Sequence, residues 1–289
     1  MAEKRKAPAK QSQFIAVAKR FFKRKVSVVG LSILLFLILI SILAPVLAPY
    51  DYTATSPFLQ NKAPSAEHLF GTDNLGRDVL SRLLYGGRYS LSLSFTATFI
   101  MICVAMVLGS IAGYFGGLAD TLILRFCDIL QSIPSMLLCI CVSQALGQGF
   151  LPTAIALSIG GMTGNVRLLR ASMMSVRGQE FVEAARAINC SKIRIIFRHV
   201  VKNSLAPIIV NTAGDFGMKI MASAGLSFIG LGVQAPTAEW GAMVSAGKAY
   251  FRNAPHVVII PAIAIALAVL SFNLVGDGLR DALDPKLKN

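Results

Sequence analysis

The sequence predicts an all-α membrane protein with six transmembrane helices and both termini in the cytoplasm. Three observations carry that expectation. Hydrophobic residues make up 55% of the 289-residue chain and charged residues 15%, where a soluble domain carries about 25% charged residues. The apolar residues fall in blocks without charge, Lys25 to Asp51, Arg88 to Asp120, Asp128 to Arg167 and Arg252 to Asp277. The net charge of +14 is concentrated in segments that lie beside those blocks. Such a composition excludes a disordered chain and argues against a water-soluble enzyme.

A helix needs about 20 apolar residues to cross the hydrocarbon core. The third block is too long for one crossing, and Gly147-Gln148-Gly149 followed by Pro152 divides it. A further apolar segment after Ser204 is interrupted only by Asp215 and Lys219. The expected spans are 26–49, 91–114, 122–146, 151–168, 204–230 and 255–276. Residues 1–25 form a basic tail, and 26–289 a single transmembrane domain with an outer loop at 50–90 and an inner loop at 167–203.

Six spans put three basic segments on one side: the tail (Lys4, Arg5, Lys6, Lys10, Lys19, Arg20, Lys23, Arg24, Lys25), the inner loop and the C-terminus (Arg280, Lys286, Lys288). The positive-inside rule makes that side cytoplasmic. The charge therefore reads as topology plus attraction to anionic lipid, and no nucleic-acid partner is expected. Residues 13–25 mix aromatics with cations, which suits either a helix along the inner interface or a plain stop-transfer flank.

Cys103, Cys127, Cys139 and Cys141 lie in or beside spans and Cys190 in the inner loop, an odd count with none in an outer loop, so no disulfide framework is expected. His68, His199 and His256 are scattered and suggest no metal site. No phosphate-binding loop of the G-x-x-x-x-G-K-[ST] type occurs. Gly160-Gly161 and Gly164 sit late in a span, where small residues permit close helix packing. No catalytic grouping of Ser, His and Asp stands out. No internal repeat is visible, which fits half of a pore that needs a partner.

In the inner loop, helical spacing puts Phe181, Ala184, Ala185, Ile188 and Ile195 on an apolar side and Arg186, Lys192, Arg194, Arg198 and Lys202 on a basic one. Such a helix suits another protein's groove or the bilayer surface. In the outer loop, Gly71-Thr72-Asp73 and Gly76-Arg77-Asp78 are turn chemistry. Asp78 is expected to cap a short helix through Leu84 that Gly86-Gly87 ends. Arg77, Arg82 and Arg88 are expected at the outer interface. The loop is either a gate and dock or an element that orients the second span.

Asp215 and Lys219 lie inside the fifth span in the favourable order for a helical pair. Intramembrane charges line a water path or neutralise one another. On the first reading they line a translocation path, with Ser223 one turn on. Trp240, the only Trp, is expected to anchor at the outer interface.

Glu183-Ala184-Ala185, in a cytoplasmic loop between two late spans, resembles the EAA loop of ABC-importer permease subunits. That family continues with Gly four positions after the last alanine and closes on Leu-Pro. This chain has Asn189 and Val201-Lys202 there. Asn tolerates a left-handed turn, and the lost Pro implies a straighter exit into the fifth span. The stretches HLFGTDNLGRDVLSRLLYGGRYSLSLS (68–94), LSFIGLGVQAPTAEWGAMV (226–244) and FNLVGDGLRDALDP (272–285) resemble the dipeptide/oligopeptide/nickel permeases. The second of their two permeases, with a long outer loop between spans one and two, is the most similar.

The resemblance implies a type I ABC-importer fold in a prokaryotic cytoplasmic membrane. It implies a non-catalytic subunit carrying di- or oligopeptides, or a related solute such as a nickel chelate. Its partners would be a homologous second permease, two cytoplasmic ATPases and an extracellular or periplasmic solute-binding protein. The chain would bind no cofactor, ATP and Mg residing in the ATPases. Glu183, Ala184, Ala185, Arg186, Ile188 and Asn189 would couple to an ATPase. Position 223 is often acidic in that family, so Ser223 points to a different selectivity. A proton-coupled secondary transporter using Asp215 is the alternative, and it would need no docking loop.

Overall fold

The computed structural model describes residues 13–283, with backbone only at Gln13 and Phe14. The tail cations Lys4, Arg5, Lys6 and Lys10, and Lys286 and Lys288, lie outside the described residues. Twelve helices follow in order: α1 Gln13–Lys23, α2 Lys25–Ile42, α3 Ala44–Leu47, α4 Val79–Phe115, α5 Gly117–Gln131, α6 Ser135–Leu146, α7 Phe150–Arg177, α8 Glu180–Ala187, α9 Lys192–Arg194, α10 Lys202–Phe228, α11 Trp240–Gly247 and α12 His256–Leu283. A π-helical run, Ile195–Val201, joins α9 to α10.

Helices α2, α4 and α12 are long and apolar enough to cross a membrane. Helices α5 and α6 qualify only together, and they meet at a bend of 92°. This corrects the expected straight span over 122–146. Pro134 stands at the break, before the first residue of α6, and the residue before a proline is pushed out of helical geometry. Helices α7 and α10 are 28 and 27 residues long. They fall outside the apolar class because α7 carries Asn165, Arg167 and Arg170, and α10 carries Asn211, Asp215 and Lys219.

The short helix expected from Asp78 to Leu84 is instead the first turns of α4. Asp78 does cap it, accepting from the Ser81 amide at 2.7 Å, but the helix runs on for 37 residues, about 55 Å at 1.5 Å per residue. Gly86 and Gly87 do not end it. They are buried where Trp240 and Ser41 approach, and a Cβ on Gly87 would lie 2.2 Å from Ser41 Oγ. The helix stops at Gly116, whose φ of 68° an L side chain rarely adopts.

Helix α4 packs along α7, and α12 packs between α2 and α10. Gly30 lets α2 touch α12 closely, since a Cβ there would meet Leu274 Cβ at 2.5 Å. Helices α1 and α12 also meet. Arg24 pairs with Asp281 and donates to the Asp277 carbonyl at 3.2 Å, while Phe21 and Ser27 crowd Gly278. One end of the bundle thus carries the 50–78 loop and the other the segment after Arg177, whose guanidinium caps the Tyr114 carbonyl at 2.6 Å.

Candidate functional site

At the Arg177 end, α8 and the helical run from Lys192 form a hairpin. Asn189 makes the turn at φ 57°, a conformation open to Gly and Asn at little cost. The Asn189 amide donates to the Arg186 carbonyl at 2.9 Å, and that of Cys190 to Ala185 at 3.1 Å. Ser191 then caps the next helix through the Arg194 amide. From Lys192 the chain runs through α9, the π-helical turn and α10 with no non-helical residue until Phe228.

The hairpin is fixed by apolar packing. Val182 and Ala185 of α8, Ile195, Val200 and Val201 of the π-helical turn, and Met173 and Val176 of α7 share one buried cluster. The expected apolar side is therefore split. Ala185 and Ile195 face inward, whereas Phe181, Ala184 and Ile188 face out. Helical spacing alone missed this because a two-sided contact leaves two apolar faces. Ile188, Ile193 and Phe197 are 76%, 71% and 69% exposed, and Glu183, Arg186, Lys192, Arg194 and Arg198 are exposed among them.

At the opposite end the expected interfacial charges are buried. Asp73 accepts from Arg77 Nε at 2.7 Å and from the Leu75 and Arg77 amides at 2.8 and 3.0 Å. Arg82 lies 3.4 Å from the same carboxylate and donates to the Tyr52 carbonyl at 3.1 Å. His68 Nδ1 is 2.9 Å from Asp78. The three outer-loop candidates, Asp73, Arg77 and Asp78, thus come together in one knot at the head of α4. Gly76 belongs to it by necessity: φ is 75°, and a Cβ would fall 1.9 Å from the Ser56 carbonyl oxygen. Arg88 alone of the expected arginines remains exposed, beside the stacked Tyr52 and Tyr85 rings.

Trp240 is 2% exposed and is not an interfacial anchor. Its indole donates to the Leu83 carbonyl at 2.9 Å, which locks α11 against α4. Glu239 beside it is a residue that sequence reasoning missed. It caps α11 through the Ala242 amide at 2.7 Å and accepts from Ser227 at 2.8 Å and Ser90 at 3.2 Å. One buried carboxylate therefore joins α4, α10 and α11. An acid inside the apolar run APTAEWGAMV was the available signal.

In the middle of the bundle, Asp215 and Lys219 make no direct ion pair. Asp215 Oδ2 accepts from Asn165 at 2.9 Å and from Asn211 at 3.3 Å. Lys219 donates to the Leu157 carbonyl at 2.5 Å. Both line a cavity of about 190 Å³ between α6, α7 and α10. Ser223 is buried with its hydroxyl unpartnered, and it does not line that cavity. Asn165 and Asn211 were further residues to find, and amides inside apolar spans were their signal. Among the described residues no group of three or more His, Cys, Asp or Glu is placed to hold a metal ion.

The chain is similar to known proteins over most of its length. Residues 105–289 match the family of binding-protein-dependent transport system inner membrane components. Residues 12–64 match the N-terminal transmembrane domain of oligopeptide transport permease C. The chain is 44% identical over 289 residues to the dipeptide transport system permease protein DppC of Alkalihalophilus pseudofirmus, covering 98% of this chain and 95% of that one. It is 42% identical over 271 residues to the glutathione transport system permease protein GsiD of Escherichia coli O157:H7, covering 93% and 89%. Its fold resembles an inward-facing methionine ABC transporter MetNI, with TM-score 0.57 at 16% identity over 70% of this chain and 97% of that one. A solved amino acid ABC transporter gives 0.54 at 15% over 71% and 95%. The chain belongs to the binding-protein-dependent transport system inner membrane components: it is a non-catalytic permease subunit of an ABC importer in a bacterial inner membrane, in a family whose ATPase is a separate subunit.

Proposed function

We propose that the chain forms half of a translocation pathway for di- or oligopeptides and docks on an ATPase through its hairpin. The names of its relatives, a dipeptide and a glutathione permease, support peptide cargo. A nickel chelate on the same scaffold is the competing cargo. The spans on this reading are α2, α4, the bent α5–α6 pair, α7, α10 and α12. An even count returns both termini to one side, and the cations of α1 and the hairpin make that side the cytoplasm. A homologous permease would complete the pore, two ATPases would dock below it, and a solute-binding protein would deliver cargo outside.

One observation carries the docking assignment. Exposed Ile188, Ile193 and Phe197 sit among exposed cations on a hairpin that packs rigidly on α7 and α10. Contiguous exposed apolar surface marks an interaction site. A partner gripping this hairpin would move both helices, and with them Asp215 and Lys219. Glu183, Ala184, Arg186 and Asn189 contribute the face, the charge and the turn, while Ala185 anchors the hairpin from beneath.

The test is purification of the tagged chain in mild detergent, with uptake of labelled alanyl-alanine into proteoliposomes. Recovery of a second permease and ATPases, with ATP-dependent uptake that Ile188→Asp abolishes, is the expected result. Uptake that survives ATP depletion would return the proton-coupled carrier and Asp215 to first place.

A further inference from the structure

The charges inside the bundle are held apart by their neighbour. Their helical spacing of four residues puts Asp215 and Lys219 about 6 Å apart along α10, close enough for the two side chains to meet. Helix α7 prevents it. Asn165 holds the Asp215 carboxylate and the Leu157 carbonyl holds the Lys219 ammonium, and those two residues are about 12 Å apart along α7. The cavity opens on the same face, onto both charges.

Each charge keeps unused bonding capacity. Both hydrogen bonds to Asp215 go to Oδ2, which leaves Oδ1 without a partner among the described residues. Lys219 is 6% exposed and makes one hydrogen bond, where an ammonium offers three donors. Gly160 and Gly161 keep the space open. A Cβ on Gly161 would lie 2.8 Å from Lys219 Nζ, and one on Gly160 would lie 2.9 Å from Cys139 Sγ. Intramembrane charges are costly and need a partner, and these two make no direct contact with each other while each is held by α7.

We propose that Asp215 and Lys219 form a two-charge seat for a zwitterionic solute, its ammonium on Asp215 Oδ1 and its carboxylate on Lys219 Nζ. The assignment rests on the peptide-import reading and narrows it to unblocked peptides and amino acids. The cavity, at about 190 Å³, is smaller than the roughly 300–1,000 Å³ of a complete ligand pocket. It is half a site, and the facing permease supplies the rest.

The experiment uses the assembled transporter with its binding protein saturated, so that differences in capture cancel against wild type. Uptake of alanyl-alanine is compared with that of its C-amidated and N-acetylated forms. Lys219→Gln keeps a donor for Leu157 and should shrink the preference for the free carboxylate by about 10-fold or more, the scale of a charged hydrogen bond. Asp215→Asn keeps an acceptor for Asn165 and should do the same for the free ammonium. Each variant should leave the other preference at its wild-type value, which a merely structural defect would not.

Unchanged preferences in both variants would overturn the seat. Absence of any ATP-driven peptide uptake by the wild type would instead remove the peptide reading on which it stands.

Discussion

The two ends of the bundle are built by opposite means. The hairpin at 180–201 is attached by aliphatic side chains and turns its charges outward. The loop at 50–78 and the head of α4 bury Asp73, Arg77, Asp78 and Arg82, and leave only Asp51, Lys62 and Glu67 of the loop's charges exposed. Apolar packing is non-directional and tolerates small shifts in position, whereas a network of charge-assisted hydrogen bonds fixes one geometry. The first suits a part that must be pushed, the second a part against which movement is measured.

Breaking the knot at the head of α4 should have the largest effect. Asp73→Ala strands two buried guanidinium groups, and stranding one partner of a buried pair costs about 3–5 kcal/mol. The expected outcome is a sharply lower unfolding midpoint and poor recovery of the complex. A midpoint equal to wild type would show that the knot is not what holds the head of α4.

Neighbouring alanines in the hairpin sharpen the comparison. Ala185→Asp puts a carboxylate into the apolar cluster and should destabilise by about 3 kcal/mol. Ala184→Asp lies on the exposed face, where surface changes stay within about 0.5 kcal/mol, yet it should uncouple ATP hydrolysis from uptake. Thermal melts and uptake assays on the same two preparations separate the roles. Equal melts for the two variants would erase the distinction between the inner and outer faces of α8.

The turn gives a smaller effect. Asn189→Val forces a branched side chain into φ near 57° and should cost about 1–2 kcal/mol, whereas Asn189→Gly should be close to neutral. Hydrogen exchange at the Asn189 and Cys190 amides would report it.

The smallest effect lies in the 50–78 loop at Asp51. The Thr53 hydroxyl, and after it the Thr53 amide, hold this carboxyl below its ordinary value of 3.8. A depressed carboxyl contributes stability that is fully present above the ordinary value and is lost as pH falls through the folded one. Thr53→Val should return the Asp51 titration toward 3.8, read by carbon NMR of the labelled side chain. An unmoved titration would discard the hydroxyl as its cause.

Much of this architecture was legible in the residues. Charge-free runs located the helices, and Asn189 announced its turn because few residues tolerate φ above zero. The family resemblance rested on loops whose sequences serve geometry, such as Gly76 against Ser56. What stayed hidden was pairing between distant elements. Gly86-Gly87 looked like a helix end, and only the approach of Trp240 from residues later in the chain explains them. Asp215 and Lys219 looked like a pair, and only α7 shows why they part. Helical spacing reports which residues share a face and carries no information about what covers it.

The clasp between Arg24 and Asp281 sets a condition on how the molecule is made. Its partners are 257 residues apart in the chain. A ribosome adding about 5–20 residues per second needs roughly ten to fifty seconds to supply the second after the first. Throughout that interval α1 exists without its mate, its cations free to rest on lipid. Fastening α1 to α12 makes the arrival of α12 the event that closes the subunit, so a chain cut before Asp281 leaves α1 unfastened.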